Sequence, residues 1–330
     1  MRVLSGIQPS GKLHIGNYFG AMKQHLELQN GGDALYFIAN YHALTSLHDK
    51  DRVARNTHDV ALDYLALGLD PNKAAFFRQS DVPEVTELAW ILSTITPMGL
   101  LQRCVSYKDK LDKGLSADHG LFAYPVLMAA DILIYKSQIV PVGKDQKQHI
   151  EVTQDIAQKF NNIFGEILVI PQERTIESTA VVPGIDGEKM SKSYDNTIEI
   201  FADEKRIKQR VMSIKTDSTP LEAPKDPTKC NVMALLRLVA SPEETAEWEE
   251  KYRKGGVGYG HTKKRLVELL TEYFRPYREK RKELEKNPEY VEGVLQDGAR
   301  RARALAQETM KEVRAAVGLT YDPAKLANAE

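Results

Sequence analysis

Apolar and polar positions over roughly the first half of the chain follow two alternating rhythms. Short, mostly apolar runs read as strands: Val3-Leu4-Ser5-Gly6-Ile7, Ala34-Leu35-Tyr36-Phe37-Ile38-Ala39, Ala75-Phe76-Phe77 and Ile139-Val140-Pro141-Val142. Between them, apolar residues recur at helical spacing. Ile15, Phe19, Met22 and Leu26 mark a helix that begins near Leu13. Val53, Val60, Ala61, Tyr64 and Leu65 mark a second over 51–67, which Gly68 stops. Further helices are predicted at 84–105, 124–136 and 145–160. The strands do not alternate apolar with polar, so both of their faces are expected to be covered. Pro141 predicts an edge or a bend in the fourth strand.

After about residue 195 the strand pattern stops. Helices are predicted at 203–212, 231–239, 243–252, 261–285 and 290–316. Pro220, Pro224 and Pro227 punctuate the first loop, and Gly255, Gly256, Gly258 and Gly260 precede the 261–285 helix. In that helix Leu266, Leu269, Leu270 and Phe274 lie at core spacing. The expected fold is α/β: a doubly wound parallel-sheet (Rossmann-like) domain over 1–195, then an all-helical domain over 196–330.

Composition narrows the function classes. Of the 330 residues, 42% are hydrophobic and 28% charged, the balance of an ordinary globular protein. The net charge of −1 excludes a global basic field, so any nucleic-acid surface must be local. One candidate is the 261–282 stretch, with Lys263, Lys264, Arg265, Arg275, Arg278, Lys280, Arg281 and Lys282, followed by Arg300, Arg301 and Arg303. A solvated helix face is the competing reading. Cys104 and Cys230 have no metal-ligand spacing and read as reduced thiols. The chain enters its first strand without an apolar leader, and no uncharged run reaches about 18 residues. A cytoplasmic location with no membrane association is expected.

Two loop motifs carry candidate chemistry. Pro9-Ser10-Gly11-Lys12-Leu13-His14-Ile15-Gly16-Asn17 joins the first strand to its helix, where backbone N–H groups and the helix dipole favour an anion. Gly11 and Gly16 permit close approach of a ligand. His14 and Asn17, three apart, share a helix face and can both donate to phosphate oxygens. The second motif, Lys189-Met190-Ser191-Lys192-Ser193, follows the turn-rich 183–187 and suits a mobile phosphate clamp. Taken singly, a strand–loop–helix with a capping Ser10 and a solvated basic loop are the bland alternatives.

In this order and setting, the pair resembles the signatures of class I aminoacyl-tRNA synthetases. The Lys-Met-Ser-Lys-Ser string is complete. The first signature reads His-Ile-Gly-Asn, with Asn17 in place of a histidine, as is usual in the tryptophanyl and tyrosyl branch. A third stretch chooses the amino acid: Tyr124-Pro125-Val126-Leu127-Met128-Ala129-Ala130-Asp131, then Gly143-Lys144-Asp145-Gln146. Pro125 suits a first helical position, which places Tyr124 at the helix entry. Met128 and Asp131 then share a face. An aspartate among apolar neighbours needs a donor. An indole N–H is a donor only, so Asp131 is a candidate reader of a tryptophan ring with Met128 against it. A cationic partner elsewhere in the chain is the rival explanation for Asp131.

The resemblance implies more. Tyrosyl relatives carry Gln where Met128 stands, so it favours L-tryptophan as substrate over L-tyrosine. It implies that Tyr124 and Gln146 hold the substrate ammonium with Met128 and Asp131 at the ring. Gly143, Lys144 and Asp145 would meet the ATP ribose region, and Val182 the adenine. Gln8, Pro9, Ser10, Gly16, Asn17 and the loop Lys189, Met190, Ser191, Lys192 and Ser193 would complete the ATP site. His14, Asn17, Lys189 and Lys192 would act on the phosphates. It further implies ATP as substrate with Mg²⁺, no tightly bound cofactor and no dedicated metal site, tRNA(Trp) as acceptor, a homodimer, and anticodon reading by the helical half. A DNA partner is not expected. A tyrosyl enzyme and a non-catalytic, RNA-binding relative remain as alternatives. His42, Lys108 and Lys110 stay open between ligand contact and loop polarity.

Overall fold

Five parallel strands organise the N-terminal half: β1 (Val3–Ile7), β2 (Ala34–Ile38), β3 (Ala74–Arg78), β4 (Ile139–Val142) and β5 (Gln172–Thr175). Their order across the sheet is β3-β2-β1-β4-β5. The computed structural model describes residues 1–105, 107–108, 118–142, 147–175 and 182–321. The doubly wound parallel sheet read from the sequence is present, and helices cover both of its faces. Alternate residues of each strand enter different cores. Ala34, Tyr36, Ile38, Ala74 and Phe76 face one side. Leu4, Leu35, Phe37, Ala75 and Phe77 face the other. This explains why the strands show no polar alternation.

The strand β5 was not legible. Gln172-Glu173-Arg174-Thr175 has no apolar side chain. Among the described residues it pairs only with β4, as the sheet's edge, and an edge strand is specified by backbone pairing more than by burial. β4 itself pairs with β1 through Val3↔Ile139 alone. Beyond that point the two strands part, which opens a crevice where the strand order reverses. Pro141 lies in this splayed part, so it marks a local bend in an inner strand rather than the sheet's edge.

Most predicted helices are present with shifted ends. The 84–105 stretch is two helices, Glu84–Ser93 and Met98–Gln102. Pro97 separates them by disfavouring a helical residue before it. The helix carrying Asp131 runs His119–Leu133 and holds Pro125 in its interior. Tyr124 therefore sits well inside the helix, not at its entry as expected. Pro125 is buried, and burial outweighs the single backbone bond it removes. The helix ending in Phe164 starts at Lys147. Val53, expected in the core, is only half-buried and belongs to neither core cluster.

In the second half the helices are Glu204–Met212, Asn231–Leu236, Pro242–Lys254, Tyr259–Glu285 and Pro288–Ala316. Leu266, Leu270 and Phe274 are buried as expected, in the same cluster as Ile15, Phe19 and Val60. The Pro288–Ala316 helix lies across β3. A Cβ at Gly298 would fall 2.0 Å from the Phe76 carbonyl oxygen, so only glycine lets the helix approach this closely.

Candidate active site

The site begins at the exit of β1. His14 caps the short helix Ile15–Asn17, and Ser10 does not. The His14 N–H donates to Asn17 Oδ1 at 3.1 Å, and the Asn17 N–H donates to His14 Nδ1 at 3.2 Å. This mutual cap leaves a donor group free of the cap on each side chain. Because Nδ1 accepts, a neutral His14 carries its proton on Nε2; Asn17 keeps its amide NH₂. Burial, helped by nearby Lys192, pushes the His14 pKa down to about 4. His14 is therefore a neutral hydrogen-bond donor at pH 7, and the positive charge must come from the lysines. After Asn17 the helix widens into a π turn, Tyr18–Met22, and then continues as Lys23–Glu27.

The lysine loop is laced to this element. Ile15 N–H donates to the Ile198 carbonyl at 3.0 Å, and Ile200 N–H to the Leu13 carbonyl at 3.1 Å. Met190 is buried, and its Cβ leaves Gly16 no room for a side chain: an added Cβ would stand 3.0 Å from it. Lys192 Nζ donates to the Gly11 carbonyl at 2.9 Å and lies 3.4 Å from both Ser10 oxygens. Burial lowers its pKa, opposed by the carboxylates of Asp63 and Glu199. The Lys189 side chain is exposed. Val182 is buried, and its carbonyl accepts the Met190 N–H at 3.0 Å.

Asn196 was missed in the sequence. It is buried and holds the loop from inside, accepting the Ser191 N–H at 2.7 Å. It donates to Asp186 Oδ1 at 2.8 Å and to the Lys189 carbonyl at 3.1 Å. A Cβ on Gly184 would stand 2.3 Å from its amide nitrogen. An Asn three residues beyond a charged motif gives no periodic signal; only the bonds reveal its part.

The second half of the site is a cleft of about 560 Å³ between β1 and β4, a usual size for a small-molecule pocket. Tyr124, Met128 and Asp131, expected at the amino acid, line it together with Gln8, expected in the ATP site. Asp131 is 2% exposed. Among the described residues its partners are Gln79 and His42, not a lysine or arginine. Gln79 Nε2 lies 2.8 Å from both carboxylate oxygens, and His42 Nε2 lies 2.9 Å from Oδ2. Burial pushes the Asp131 pKa up, and the two donors pull it back. An ionised carboxylate offers about four acceptor positions. Three are taken, so Asp131 retains capacity for one further donor in the cleft. Tyr124 Oη lies 2.5 Å from His149 Nε2, which fixes the phenol at the rim. A Cβ on Gly6 would fall 2.5 Å from the Phe37 ring, so this glycine gives that ring its place beside the cleft.

His42 thus positions the buried carboxylate, and Gln79 does so from the end of β3. Neither role had a sequence signal beyond proximity to a strand end. Lys108 is exposed. Lys110, Gly143, Lys144, Asp145 and Gln146 lie outside the described residues; Ser10 lies beside Lys192, the Pro9 carbonyl accepts from the Asn56 amide at 3.2 Å, and Ser191 and Ser193 belong to the lysine loop itself. The basic stretch is less free than its composition suggests. Lys263 is buried on the Met212 and Ile214 carbonyls. Arg281 pairs with Asp59 and Asp63 at 2.7 and 2.6 Å, and Arg303 with Glu84 at 2.7 Å. Among the described residues, no group of three or more His, Cys, Asp or Glu side chains could hold a metal ion, and no helix is long and apolar enough to cross a membrane.

A parallel sheet with a cleft at its switch point, flanked by a helix start and a lysine loop, defines an α/β nucleotide-binding enzyme. The model of the family "tRNA synthetases class I (W and Y)" matches residues 1–275. The chain is 56% identical to the tryptophan–tRNA ligase of Fusobacterium nucleatum, over 96% of this chain and 98% of that protein. It is 54% identical to the tryptophan–tRNA ligase of Rhodopirellula baltica, covering 97% of this chain and 100% of the relative. The Campylobacter jejuni tryptophanyl-tRNA synthetase, solved with ADP and tryptophan, superposes with a TM-score of 0.92 at 54% identity, over 96% of this chain and 100% of that one. The chain belongs to the class I tRNA synthetases of the tryptophan and tyrosine family, in their tryptophanyl branch.

Proposed function

We propose that this chain activates L-tryptophan with ATP, giving tryptophanyl-adenylate and pyrophosphate, and then transfers tryptophan to tRNA(Trp). The observation that carries the choice of amino acid is Asp131, buried in the cleft wall with acceptor capacity left, beside Met128. An indole N–H satisfies that capacity, and Met128 supplies an apolar wall for the ring. A phenol would bring a hydrogen-bonding oxygen against the same apolar wall.

In the first step the tryptophan carboxylate attacks the α-phosphate. The protein contributes positioning and charge stabilisation. Lys189 and Lys192 supply positive charge to the phosphates, while His14 Nε2–H and the Asn17 amide donate hydrogen bonds. Lys192 must exchange its hold on the Gly11 carbonyl for phosphate oxygen, so the loop closes on ATP. Gln8, Pro9, Ser10, Gly16, Val182, Met190, Ser191 and Ser193 complete the ATP site, with Gly143, Lys144 and Asp145. Tyr124 and Gln146 hold the ammonium group. Mg²⁺ enters as MgATP. In the second step a terminal ribose hydroxyl of the tRNA attacks the adenylate carbonyl.

We assign residues 1–195 to activation and 196–330 to anticodon reading, with the cytoplasm as the setting. Trp90 and Met98 are 73% and 63% exposed on the helices after β3. Large apolar side chains so placed suit the interface of a homodimer. The test is amino-acid-dependent exchange of labelled pyrophosphate into ATP, run with all twenty amino acids. Exchange with tryptophan alone is expected. Exchange with tyrosine would overturn the Asp131–Met128 assignment, and silence from folded protein would overturn catalysis.

A further inference from the structure

The lysine loop leaves its motif through a short stretch of backbone held at every carbonyl. Tyr194 and Asp195 close a single turn, their N–H groups donating to the Ser191 and Lys192 carbonyls at 3.2 Å. Asp195 then takes a left-handed backbone, with φ +46°, a conformation that costs most residues and is tolerated best by Gly, Asn and Asp. The next bonds fix it there. The Asn196 carbonyl accepts the Ile185 N–H at 3.0 Å. Arg210, from the helix Glu204–Met212, takes the carbonyls on either side: its Nε donates to Thr197 at 2.9 Å and its Nη2 to Asp195.

The ion pair between Arg210 and Asp195 is not what holds this grip. The carboxylate lies 3.4 Å away on a side chain that is 94% exposed, and such pairs contribute little in water. The Arg210 side chain is only 22% exposed. Its planar fork spans two carbonyls two residues apart, which a lysine's single point charge does not do. The entrance to the loop is held from the same half of the molecule. The Ile185 carbonyl accepts the Lys215 N–H at 2.7 Å. Gly187, at φ +95°, lies under Asn231, whose amide nitrogen would stand 2.6 Å from an added Cβ. Between these two posts run residues 188–194, with Lys189 and Lys192.

We propose that Arg210 is a positioning residue for the ATP step: it fixes the exit of the lysine loop as the pivot about which Lys192 swings from the Gly11 carbonyl to the phosphates. The inference rests on the closing loop assigned above. The fork of Arg210 is turned onto backbone beyond the motif, so it acts through Lys192 and not on the phosphates. Asn196 packs the loop from inside; Arg210 ties its exit to the helix outside.

The test uses the full chain and two readouts. The first is pyrophosphate exchange. Arg210→Ala should lower kcat by about tenfold and leave equilibrium tryptophan binding unchanged. Arg210→Lys keeps the charge and loses the fork, so it should lose nearly as much. In a Lys192→Ala background, Arg210→Ala should cost less than about twofold more, because the two residues act as one. The second readout needs no turnover: hydrogen exchange of the 189–194 amides, with and without MgATP, in the absence of tryptophan. MgATP should slow this exchange in the unaltered chain, and Arg210→Ala should cut the slowing by about threefold or more. Thermal melts confirm that each variant is folded. Full activity of Arg210→Lys would overturn the proposal, as would an undiminished loss in the Lys192→Ala background or a loss of tryptophan binding in Arg210→Ala. Slowing that persists in Arg210→Ala would overturn this inference alone. MgATP that binds without slowing exchange in the unaltered chain would overturn the closing loop, and the inference with it.

Discussion

The two ends of the active site are built differently. The cleft end rests on regular structure: Asp131 comes from the last turn of a helix, is buried, and is held by Gln79 from the end of β3 and His42 from the turn after β2. The phosphate end rests on loops. It is held by a histidine–asparagine cap, one buried asparagine and a lysine resting on backbone carbonyls. Recognition of a ring needs a wall that does not move; a reacting phosphate needs a loop that can. The amino-acid end is therefore preorganised in the unliganded chain, and the ATP end is latched.

This contrast is sharpest at Lys192. Lys192→Ala should lower kcat for pyrophosphate exchange by about 10²–10³-fold and leave equilibrium tryptophan binding within about twofold. A parallel loss of tryptophan binding would erase the division between the two ends. Asp131→Asn should act in the opposite sense. It should lower kcat/KM for tryptophan by about 10–100-fold with KM for ATP unchanged, as separate titrations of each substrate would reveal.

Smaller effects sharpen the same division. Asn196→Ala removes three hydrogen bonds of a buried amide. It should raise KM for ATP by about 3–10-fold and cost about 1–2 kcal/mol of stability; a rise in KM for tryptophan instead would show the loop to be part of the cleft. A pH effect on stability, without a change in either substrate's KM, is expected at neutral-to-acid pH. His14 and His25 are both depressed from 6.5 to about 4, chiefly by burial. The folded state then binds fewer protons than the unfolded one between these values. Their contribution is complete above pH 6.5, falls as the pH drops to about 4, and levels off below. Each should amount to at most about 3 kcal/mol. Denaturant titrations from pH 7 to 4 should follow this slope, and His25→Gln should flatten it.

Much of this arrangement is legible in the sequence because it depends on local spacing. The four apolar strands, the His14–Asn17 pair at a helix start and the Met128–Asp131 pair on one helix face all follow from residues close together. What could not be read depends on partners far away. β5 has a backbone partner and no apolar pattern. Gln79 and His42 are ordinary polar residues until Asp131 is placed between them. Arg281 and Lys263 count as surface charge in a linear reading, yet the fold turns one onto Asp59 and Asp63 and the other onto two backbone carbonyls. Pro125 misled for a related reason: its local preference for a helix start was overridden by burial among residues from other elements.

The most direct test of the central claim, that Asp131 reads an indole N–H, compares tryptophan with its analogue in which sulfur replaces the ring nitrogen. The two differ little in shape, and only tryptophan can donate to the carboxylate. The account predicts that kcat/KM in pyrophosphate exchange favours tryptophan by about 100-fold or more, and that Asp131→Asn removes most of this preference. Equal use of both compounds by the unaltered protein, or a preference that survives Asp131→Asn, would contradict it.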